Sequence, residues 1–245
     1  MTTKPVALLV GAGDAIGAAV ATRFAEGGYA VRIARRDADK SAELASQLVA
    51  QGYDVAAVSV DAREEAQVEQ LFAQIAADVG PIEVCLFNAG SNVSKALVET
   101  KESLFFRVWQ LACYAGFLVG REAARHMVPL GKGTMLFTGA TASVRGSAQF
   151  AAFASAKFAL RGVAQSMARE LGPQNIHVAH LIIDAGVNSP EIHRRLAAGG
   201  VDVETLDPDG LVSTASVAEA YWFLHNQQRD AWTHELDLRP AAEKW

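Results

Sequence analysis

The feature that most constrains the fold is a regular alternation of short, apolar, β-branched runs with longer stretches of helical periodicity. The predicted strands are Val6–Val10, Ala30–Ile33, Asp54–Val60, Val84–Phe87, Gly133–Phe137, His177–Ile183 and Glu235–Leu238. The predicted helices are Gly17–Gly27, Asp39–Gln51, Glu64–Val79, Lys101–Val128, Ala151–Leu171 and Ser216–Asn226. Because strands that are apolar on both faces are typical of parallel sheets covered by helices, the alternation predicts an α/β fold.

Right-handed crossovers between such strands produce a doubly wound parallel sheet of the Rossmann type, whose ligand site lies beyond the carboxyl ends of the strands. No Ser-, Pro- or Gly-rich linker divides the chain, so we predict a single domain over residues 1–245. The segment 184–214 is rich in Gly, Pro and Asp and shows no periodicity. A loop of this length is usually functional, so we expect a substrate loop there, with simple disorder as the alternative.

Composition and charge argue against several classes of protein. Hydrophobic residues make up 51% and charged residues 20%, the balance of a globular protein, and the net charge of -5 argues against a nucleic-acid partner. Cys85 and Cys113 are too few for a disulfide framework and lack the spacing of a metal site. The N-terminus has no signal-peptide pattern, and the apolar run Leu111–Gly120 is too short for a bilayer. We expect a cytoplasmic protein without a metal or a membrane segment.

A glycine-rich loop follows the first predicted strand and opens the first predicted helix. The segment VALLVGAGDAIG places Gly11, Gly13 and Gly17 in that loop. Glycines there allow the backbone to approach a pyrophosphate, and the helix N-terminus offers unpaired N–H groups and the positive end of its dipole. The position of the loop between a strand and a small-residue helix therefore predicts a dinucleotide site.

Five motifs along the chain carry a resemblance to a known family. They are the glycine loop Val10–Gly17 (with Ala15 in place of its middle glycine), Asp61 after the third strand, Asn88-Ala89-Gly90 after the fourth, Lys157 in the helix between the fifth and sixth strands, and Leu236–Pro240 in the last strand. In this order they resemble the motifs of the short-chain dehydrogenase/reductase family over nearly the whole chain. The resemblance implies an NAD(P)(H)-dependent oxidoreductase for a small molecule, and a homodimer or homotetramer paired through long helices.

The resemblance also implies which residues hold the dinucleotide. They are Gly11, Gly13, Asp14, Ile16, Gly17, Arg35, Arg36, Asp61, Asn88, Ala89, Gly90 and Lys157. Enzymes of this fold that use NAD usually carry Asp at the end of the second strand, whereas a nearby Arg accommodates the 2′-phosphate of NADP. Arg35 and Arg36 stand at that place and favour NADP. Asp14 adds a negative charge in the glycine loop, which leaves NAD open.

The positions that the family uses for catalysis are mostly filled by side chains without a proton to give. The family reduces carbonyls with a Tyr four residues before the Lys, a Ser and an Asn. The Tyr position holds Phe153 while Lys157 is kept, and Phe150 fills the alternative register seven residues before the Lys. Ala140 stands at the Ser position and Ala112 at the Asn position. General acid catalysis contributes about 10²–10⁴-fold, and Phe cannot supply it.

Replacement proton donors can be named, each with a structural alternative. Tyr114 lies two residues beyond the Asn position, where core or interface packing is the alternative. Thr141 and Ser143 follow the fifth strand, at the edge where ligands bind, and structural turn hydroxyls are the alternative. Asp184 ends the sixth strand and faces the substrate or caps the loop, whereas His180 within that strand is expected to be a core histidine.

Three functions remain open on these observations. The first is an NADP(H)-dependent oxidoreductase with an unconventional proton donor, acting on an activated alkene, an imine or a carbonyl. The second is a catalytically silent relative that binds the dinucleotide and serves as a sensor or scaffold. The third is non-redox chemistry that uses the nucleotide structurally. A silent relative has no need of Lys157, Asn88 and the glycine loop together, which favours the first.

Overall fold

A computed structural model describes residues 4–202, 205–207 and 209–243, and within these ranges the sheet has seven strands, all parallel. The strands are β1 Val6–Val10, β2 Ala30–Arg35, β3 Val55–Ser59, β4 Ile82–Phe87, β5 Gly133–Thr138, β6 Ile176–Ile183 and β7 Glu235–Leu238. Their order is β3-β2-β1-β4-β5-β6-β7, so the direction of winding reverses between β1 and β4. The predicted Rossmann-type, doubly wound, single-domain fold is confirmed.

Helices cover both faces of the sheet. They are α1 Ile16–Glu26, α2 Asp39–Ala50, α3 Glu65–Asp78, α4 Glu102–Trp109, α5 Ala115–Met127, α6 Ala151–Leu171, α7 Pro190–Ala198 and α8 Thr214–His225. One apolar core packs α3, α5 and α6 against the sheet, and a second packs α1, α2 and α8 against the opposite face. Neighbouring residues of one strand therefore serve different cores: Leu8 belongs to the first and Leu9 to the second, and both are fully buried.

The long helix predicted over Lys101–Val128 is interrupted by a π-helical turn. Residues Gln110–Tyr114 form that turn between α4 and α5, with the buried Ala112 at its centre. Turns of this kind are frequent at functional sites. The helical stretch Glu102–Leu130 is long and apolar enough to cross a bilayer. The sequence did not predict this, because the uninterrupted apolar run within it, Leu111–Gly120, is too short. The inner face of the helical stretch, including Leu118, is instead buried in the core beside α3 and α6.

The segment predicted as an irregular substrate loop, 184–214, contains a helix. The Ser189 hydroxyl accepts a hydrogen bond from the Ile192 N–H at 3.4 Å, and Pro190 and Glu191 open α7. A capping Ser, a Pro at the first helical position and an acid in the first turn form a helix start that the sequence displays. The prediction of an irregular loop was wrong for this part. Residues 203, 204 and 208 of the segment lie outside the described residues.

Gly11 is closely packed in the glycine loop and has a left-handed backbone, which yields a stability prediction. Gly11 has φ +77°, and a Cβ there would lie 2.5 Å from Ala89. Gly11→Ala should lower the free energy of unfolding by about 2–5 kcal/mol, because a left-handed backbone costs alanine about 1–2 kcal/mol and overpacking costs about 1–3 kcal/mol. Urea unfolding followed by tryptophan fluorescence measures the change.

Gly13→Ala is the matched control in the same loop. Its φ is not in the left-handed region, and a Cβ there would meet no described atom within 4 Å. We expect its unfolding free energy to stay within about 0.5 kcal/mol of the unaltered protein. Equal unfolding midpoints for the two variants would contradict the packing described for Gly11.

Candidate active site

Cavities line the carboxyl edge of the sheet, where the strand order reverses. One has a volume of about 480 Å³ and lies between the glycine loop, the ends of β4 and β5, α6 and α7. A second, of about 280 Å³, lies between the glycine loop and the ends of β2, β3 and β4. A third, of about 230 Å³, lies between the turn after β5 and the end of β6. In sheets of this topology ligands bind at this edge.

The residues predicted to hold the dinucleotide lie, with one exception, along the first two cavities. The first cavity is lined by Gly13, Asp14, Ile16, Asn88, Gly90 and Lys157. The second is lined by Gly11, Gly13, Arg35, Arg36, Asp61, Asn88, Ala89 and Gly90. Gly17 is the exception: a Cβ there would lie 2.5 Å from Ala12, so it permits close packing inside the loop.

The Asn88-Ala89-Gly90 segment is fixed against the glycine loop by its own hydrogen bonds. The Asn88 backbone N–H donates to the carbonyl of Val10 at 2.9 Å, and its side-chain amide donates to the carbonyl of Gly11 at 3.4 Å. The absence of a side chain at Gly90 leaves room for a lysine, since a Cβ there would lie 3.4 Å from Lys157 Nζ. The two loops therefore meet at the centre of the carboxyl edge.

Two arginines at the end of β2 differ in their partners. Arg35 donates to Asp14 Oδ1 at 2.5 Å and to the Ser41 hydroxyl at 3.4 Å. The negative charge of Asp14 is thus engaged by Arg35. The guanidinium of Arg36, in contrast, makes no hydrogen bond or ion pair with any described residue, and it lines the second cavity beside Lys40. One free and one exchangeable guanidinium can meet a phosphate dianion here.

Asp61 is already held by a neighbouring arginine. Its carboxylate accepts from Arg63 Nε at 2.9 Å and from Nη2 at 2.5 Å. The hydrogen bond from Arg63 lowers the pKa of Asp61, with smaller contributions from the charges of Arg63 and Arg36. Asp61 therefore stays ionised at the mouth of the second cavity.

Lys157 is the buried cation of the site. It lies on α6, is 4% exposed, and its Nζ donates to the Thr138 carbonyl at the end of β5 at 2.7 Å. Burial lowers its pKa from 10.5 to about 8. The amine also lies 5.9 Å from the centre of the Phe153 ring. The hydroxyl of Thr138 pairs with the Tyr221 hydroxyl of α8 at 2.7 Å, which fixes the strand end from the opposite layer.

An apolar wall faces Lys157. Phe153 is 8% exposed and packs in one cluster with Ala142 and Ala154, and Ala140 and Phe150 pack against them. Phe153 and Ala140 line both the first and the third cavity. This wall excludes water from one side of the lysine.

Three of the candidate proton donors do not line the described cavities. Ser143 is fully buried, and its hydroxyl accepts from the Ala140 N–H at 3.2 Å. Tyr114 packs against the core beside α3 and α6. Asp184 lies 3.3 Å from Arg239 and does not line the described cavities, whereas Ile183 and Ala185 on either side do.

Of the replacement donors named from the sequence, Thr141 lines a described cavity, and the lysine of the family motif, Lys157, lines another. Thr141 lines the third cavity and Lys157 the first. Thr141 lies in the short 3₁₀ turn that follows β5, and Lys157 on α6. A molecule bound in these cavities could therefore contact the hydroxyl of Thr141 and the amine of Lys157.

His180 lies in the core, as expected. It is fully buried, with Nε2 3.4 Å from the Ser143 hydroxyl and Nδ1 3.4 Å from Glu235. Burial, the largest cause, and the charge of Lys157 lower the pKa of His180 to about 4, so the ring is neutral. A Cβ at Gly139 would lie 2.6 Å from this ring, which accounts for the glycine after β5.

Sequence reasoning missed the contribution of α7. Glu191, Arg194 and Arg195 line the first cavity, and Arg195 donates to the carbonyl of Asn92 at 3.0 Å, which docks the helix over the site. The Ser-Pro-Glu start of α7 was the signal that could have found these residues. Arg145, which lines the third cavity, had no local signal.

Comparisons with known proteins identify the class. A family model described as short chain dehydrogenase matches residues 5–198. A short-chain dehydrogenase/reductase of Armillaria gallica is 33% identical over 177 residues, which are 71% of this chain and 67% of that protein. The crystal structure of a short-chain dehydrogenase from Rhodopseudomonas palustris is 45% identical, with a TM-score of 0.82 over 96% of this chain and 98% of that one.

The chain belongs to the short-chain dehydrogenase/reductase family of NAD(P)-dependent oxidoreductases. A metagenomic short-chain oxidoreductase solved in complex with NADP shares the fold, with a TM-score of 0.82 at 21% identity over 98% of each chain. Family members thus bind NADP(H), and they act on small molecules.

The burial of Lys157 leads to a prediction with a defined pH window. Between pH 8 and about 10.5 the Lys157 amine keeps its proton in the unfolded chain but has lost it in the folded chain. The free energy of unfolding therefore rises with pH in this window. Below pH 8 the lysine is charged in both states, and the full cost of burying its charge is present. In the nucleotide-free protein at pH 7, Lys157→Met should therefore raise the unfolding free energy by about 2 kcal/mol. Removing the buried charge stabilises the fold by about 3 kcal/mol, and leaving the Thr138 carbonyl without its hydrogen bond destabilises it by about 1 kcal/mol.

Urea unfolding at pH 7 and pH 10 measures this effect. The gain from Lys157→Met should disappear by pH 10, and Lys132→Met, at an exposed lysine, should change little at either pH. A loss of stability at pH 7 would mean that the lysine is well solvated or well paired, contrary to the site described above.

Proposed function

We propose that this protein is an NADP(H)-dependent oxidoreductase that reduces a polarised double bond without a phenolic acid. The observation that carries the proposal is Lys157, a buried amine facing the cavity with the Phe153 ring in the place where the family has its Tyr. A buried lysine is costly to stability and is kept where a ligand uses it.

The cofactor would lie along the first two cavities. The backbone N–H groups of the glycine loop and the N-terminus of α1 would hold the pyrophosphate. Arg35 and Arg36 would meet the 2′-phosphate, Asp61 the adenine, and Asn88 to Gly90 the central part of the dinucleotide. Lys157 would hold the nicotinamide ribose. The nicotinamide, when bound, supplies or accepts the hydride.

Lys157 is also the proton donor we propose. Its ammonium is protonated at neutral pH and has a pKa of about 8, which is near the optimum for a general acid. The hydroxyl of Thr141 at the third cavity would orient the substrate. Phe153 and Ala140 would exclude water from the reacting atoms, so that the proton comes from the protein.

The lining favours an activated alkene or an imine over a simple ketone. A ketone needs a hydroxyl that orients its oxygen, and the position that the family uses for this is occupied by Ala140. A protonated imine carries its own proton, and an alkene conjugated to an electron-withdrawing group takes its proton on carbon after hydride transfer. These substrates do not need a hydroxyl that orients and protonates a carbonyl oxygen, so they suit a site whose Tyr and Ser positions are apolar.

A catalytically silent relative, acting as a sensor or scaffold, is the second candidate. The observation in its favour is that the family's catalytic Tyr, Ser and Asn positions are all apolar here. They hold Phe153, Ala140 and Ala112, and Lys157 is the one catalytic residue kept. Such a protein would bind the nucleotide and turn nothing over.

We further propose a cytoplasmic homodimer or homotetramer that pairs through α4, α5 and α6. Four phenylalanines on these helices are 39–55% exposed, more than a monomer surface needs: Phe105, Phe106, Phe117 and Phe158. Cys85 and Cys113 are buried and unpaired with each other, which fits a reducing compartment.

Cofactor preference gives the first test. NADPH should bind about tenfold more tightly than NADH, ~1.4 kcal/mol for the added phosphate contacts. The double variant Arg35→Ala/Arg36→Ala should lose most of that preference. Asp14→Asn should increase it, because the ion pair that occupies Arg35 is removed. Fluorescence titration of reduced nucleotides measures each affinity, and equal affinities in the unaltered protein would refute the assignment of NADP.

Turnover gives the second test. NADPH consumption is followed with enals and nitroalkenes, cyclic imines and small ketones, and transfer of deuterium from C4-labelled NADPH to product is read by mass spectrometry. We expect turnover with an alkene or imine, a rate that falls as pH rises through about 8 because the acid must be protonated, and its loss in Lys157→Met. NADPH binding with no label transfer in any class would support the silent relative.

Phe153→Tyr is the matched variant for that screen. It restores the phenol but leaves Ala140 and Ala112, and catalytic groups that act as a unit are not additive. We therefore expect little ketone reduction from the single variant. Ordinary turnover of about 1 s⁻¹ or more would show that Thr141 suffices to orient a ketone.

A further inference from the structure

Arg145 is an exposed cation that lines the third cavity. Its backbone N–H donates to the Thr141 carbonyl at 2.9 Å, which fixes the turn that carries it. Its guanidinium makes no hydrogen bond or ion pair with any residue in the described ranges. Of the other arginines around the cavities, Arg35 pairs with Asp14 and Arg194 with Glu191, whereas Arg36 resembles Arg145 but lies at the second cavity.

The third cavity has a mixed lining of apolar and neutral polar side chains beside the Arg145 guanidinium. Phe150, Phe153, Ile183 and three alanines line it, together with the neutral polar side chains of Asn92, Thr141 and Ser147. Of the described residues that line it, none is acidic. An amphipathic space of about 230 Å³, lined by a guanidinium that has no acidic partner among the described residues, therefore fits a small molecule with an apolar body and a negative group.

The third cavity continues into the first. Both are lined by Asn92, Ala140, Phe153, Ile183 and Ala185. Lys157 lines the first cavity beyond Phe153, and Arg145 lines the third. A single small molecule can thus reach from the guanidinium toward the amine across the Phe153 ring.

We propose that the substrate is a small carboxylate with an apolar body, whose carboxylate pairs with Arg145. Its body lies against Phe150 and Phe153, and its reducible bond points toward Lys157. The planar guanidinium matches a carboxylate with two parallel hydrogen bonds, a geometry that lysine cannot offer. This inference rests on the proposed oxidoreductase function and names the class of its substrate.

The test compares two probes of the same shape and different charge. Trans-cinnamate and its neutral amide, cinnamamide, are titrated into the protein saturated with NADP⁺, and heat is measured by isothermal calorimetry. The oxidised nucleotide has no hydride to give, so binding is read without turnover. Cinnamate should bind about tenfold more tightly than cinnamamide, ~1.4 kcal/mol. In Arg145→Gln the two affinities should become equal.

Arg107→Gln is the matched control, since Arg107 is an exposed arginine on α4 that does not line the described cavities. It should keep the preference for cinnamate, which excludes a general effect of net charge. Arg145 is exposed, so its variant should fold, and an unchanged melting temperature checks this.

Titrations without nucleotide separate the two proposals. If NADP⁺ does not bind but cinnamate is preferred through Arg145, the anion site stands and the dinucleotide assignment fails. If NADP⁺ binds but cinnamate and cinnamamide bind equally, or cinnamate shows no measurable binding, the anion site is overturned. A preference for cinnamate that survives Arg145→Gln would overturn it as well.

Discussion

The hydrogen bond from Lys157 to the carbonyl of Thr138 is the contact on which the site depends. It joins α6 to the end of β5, and the hydroxyl of the same threonine is held by Tyr221 of α8 from the other helix layer. The amine lies in an environment that lowers its pKa to about 8, so the fold carries a cost in stability at neutral pH. A residue that weakens the fold and faces the cavity is best explained by a ligand.

Charged side chains line the carboxyl edge of the sheet from the end of β2 to Lys157 on α6. Arg36 makes no hydrogen bond or ion pair with a described residue, Arg35 is shared with Asp14, and Asp61 is held by Arg63. An anionic dinucleotide placed along this edge would find cations at both of its ends and glycines between them. In the proposed complex the 2′-phosphate of NADP competes with the Asp14 carboxylate for the guanidinium of Arg35. The preference for NADP over NAD therefore depends on which of these two negative groups Arg35 binds more strongly.

The sequence predicted the sheet well because its strands are buried on both faces and read as continuous apolar runs. The ends of β1 and β7 agree with the periodicity, and β2 extends two residues further, to Arg35. The short polar helix α7 was missed, because it has only nine residues and buries none of them, although its Ser-Pro-Glu start was visible. Side-chain direction could not be predicted either: Asp184 lies between two cavity residues and points away from them.

The central claim is that Lys157 is a buried amine with a pKa near neutrality, available to a nucleotide and a substrate. It is tested most directly by NMR of the lysine side chains in protein labelled with ¹⁵N and ¹³C at lysine, with Lys157→Met used to assign the signal. Titration of that signal in the nucleotide-free protein should give a pKa of about 8. Titration near 10.5, the value of a solvated lysine, would contradict the account.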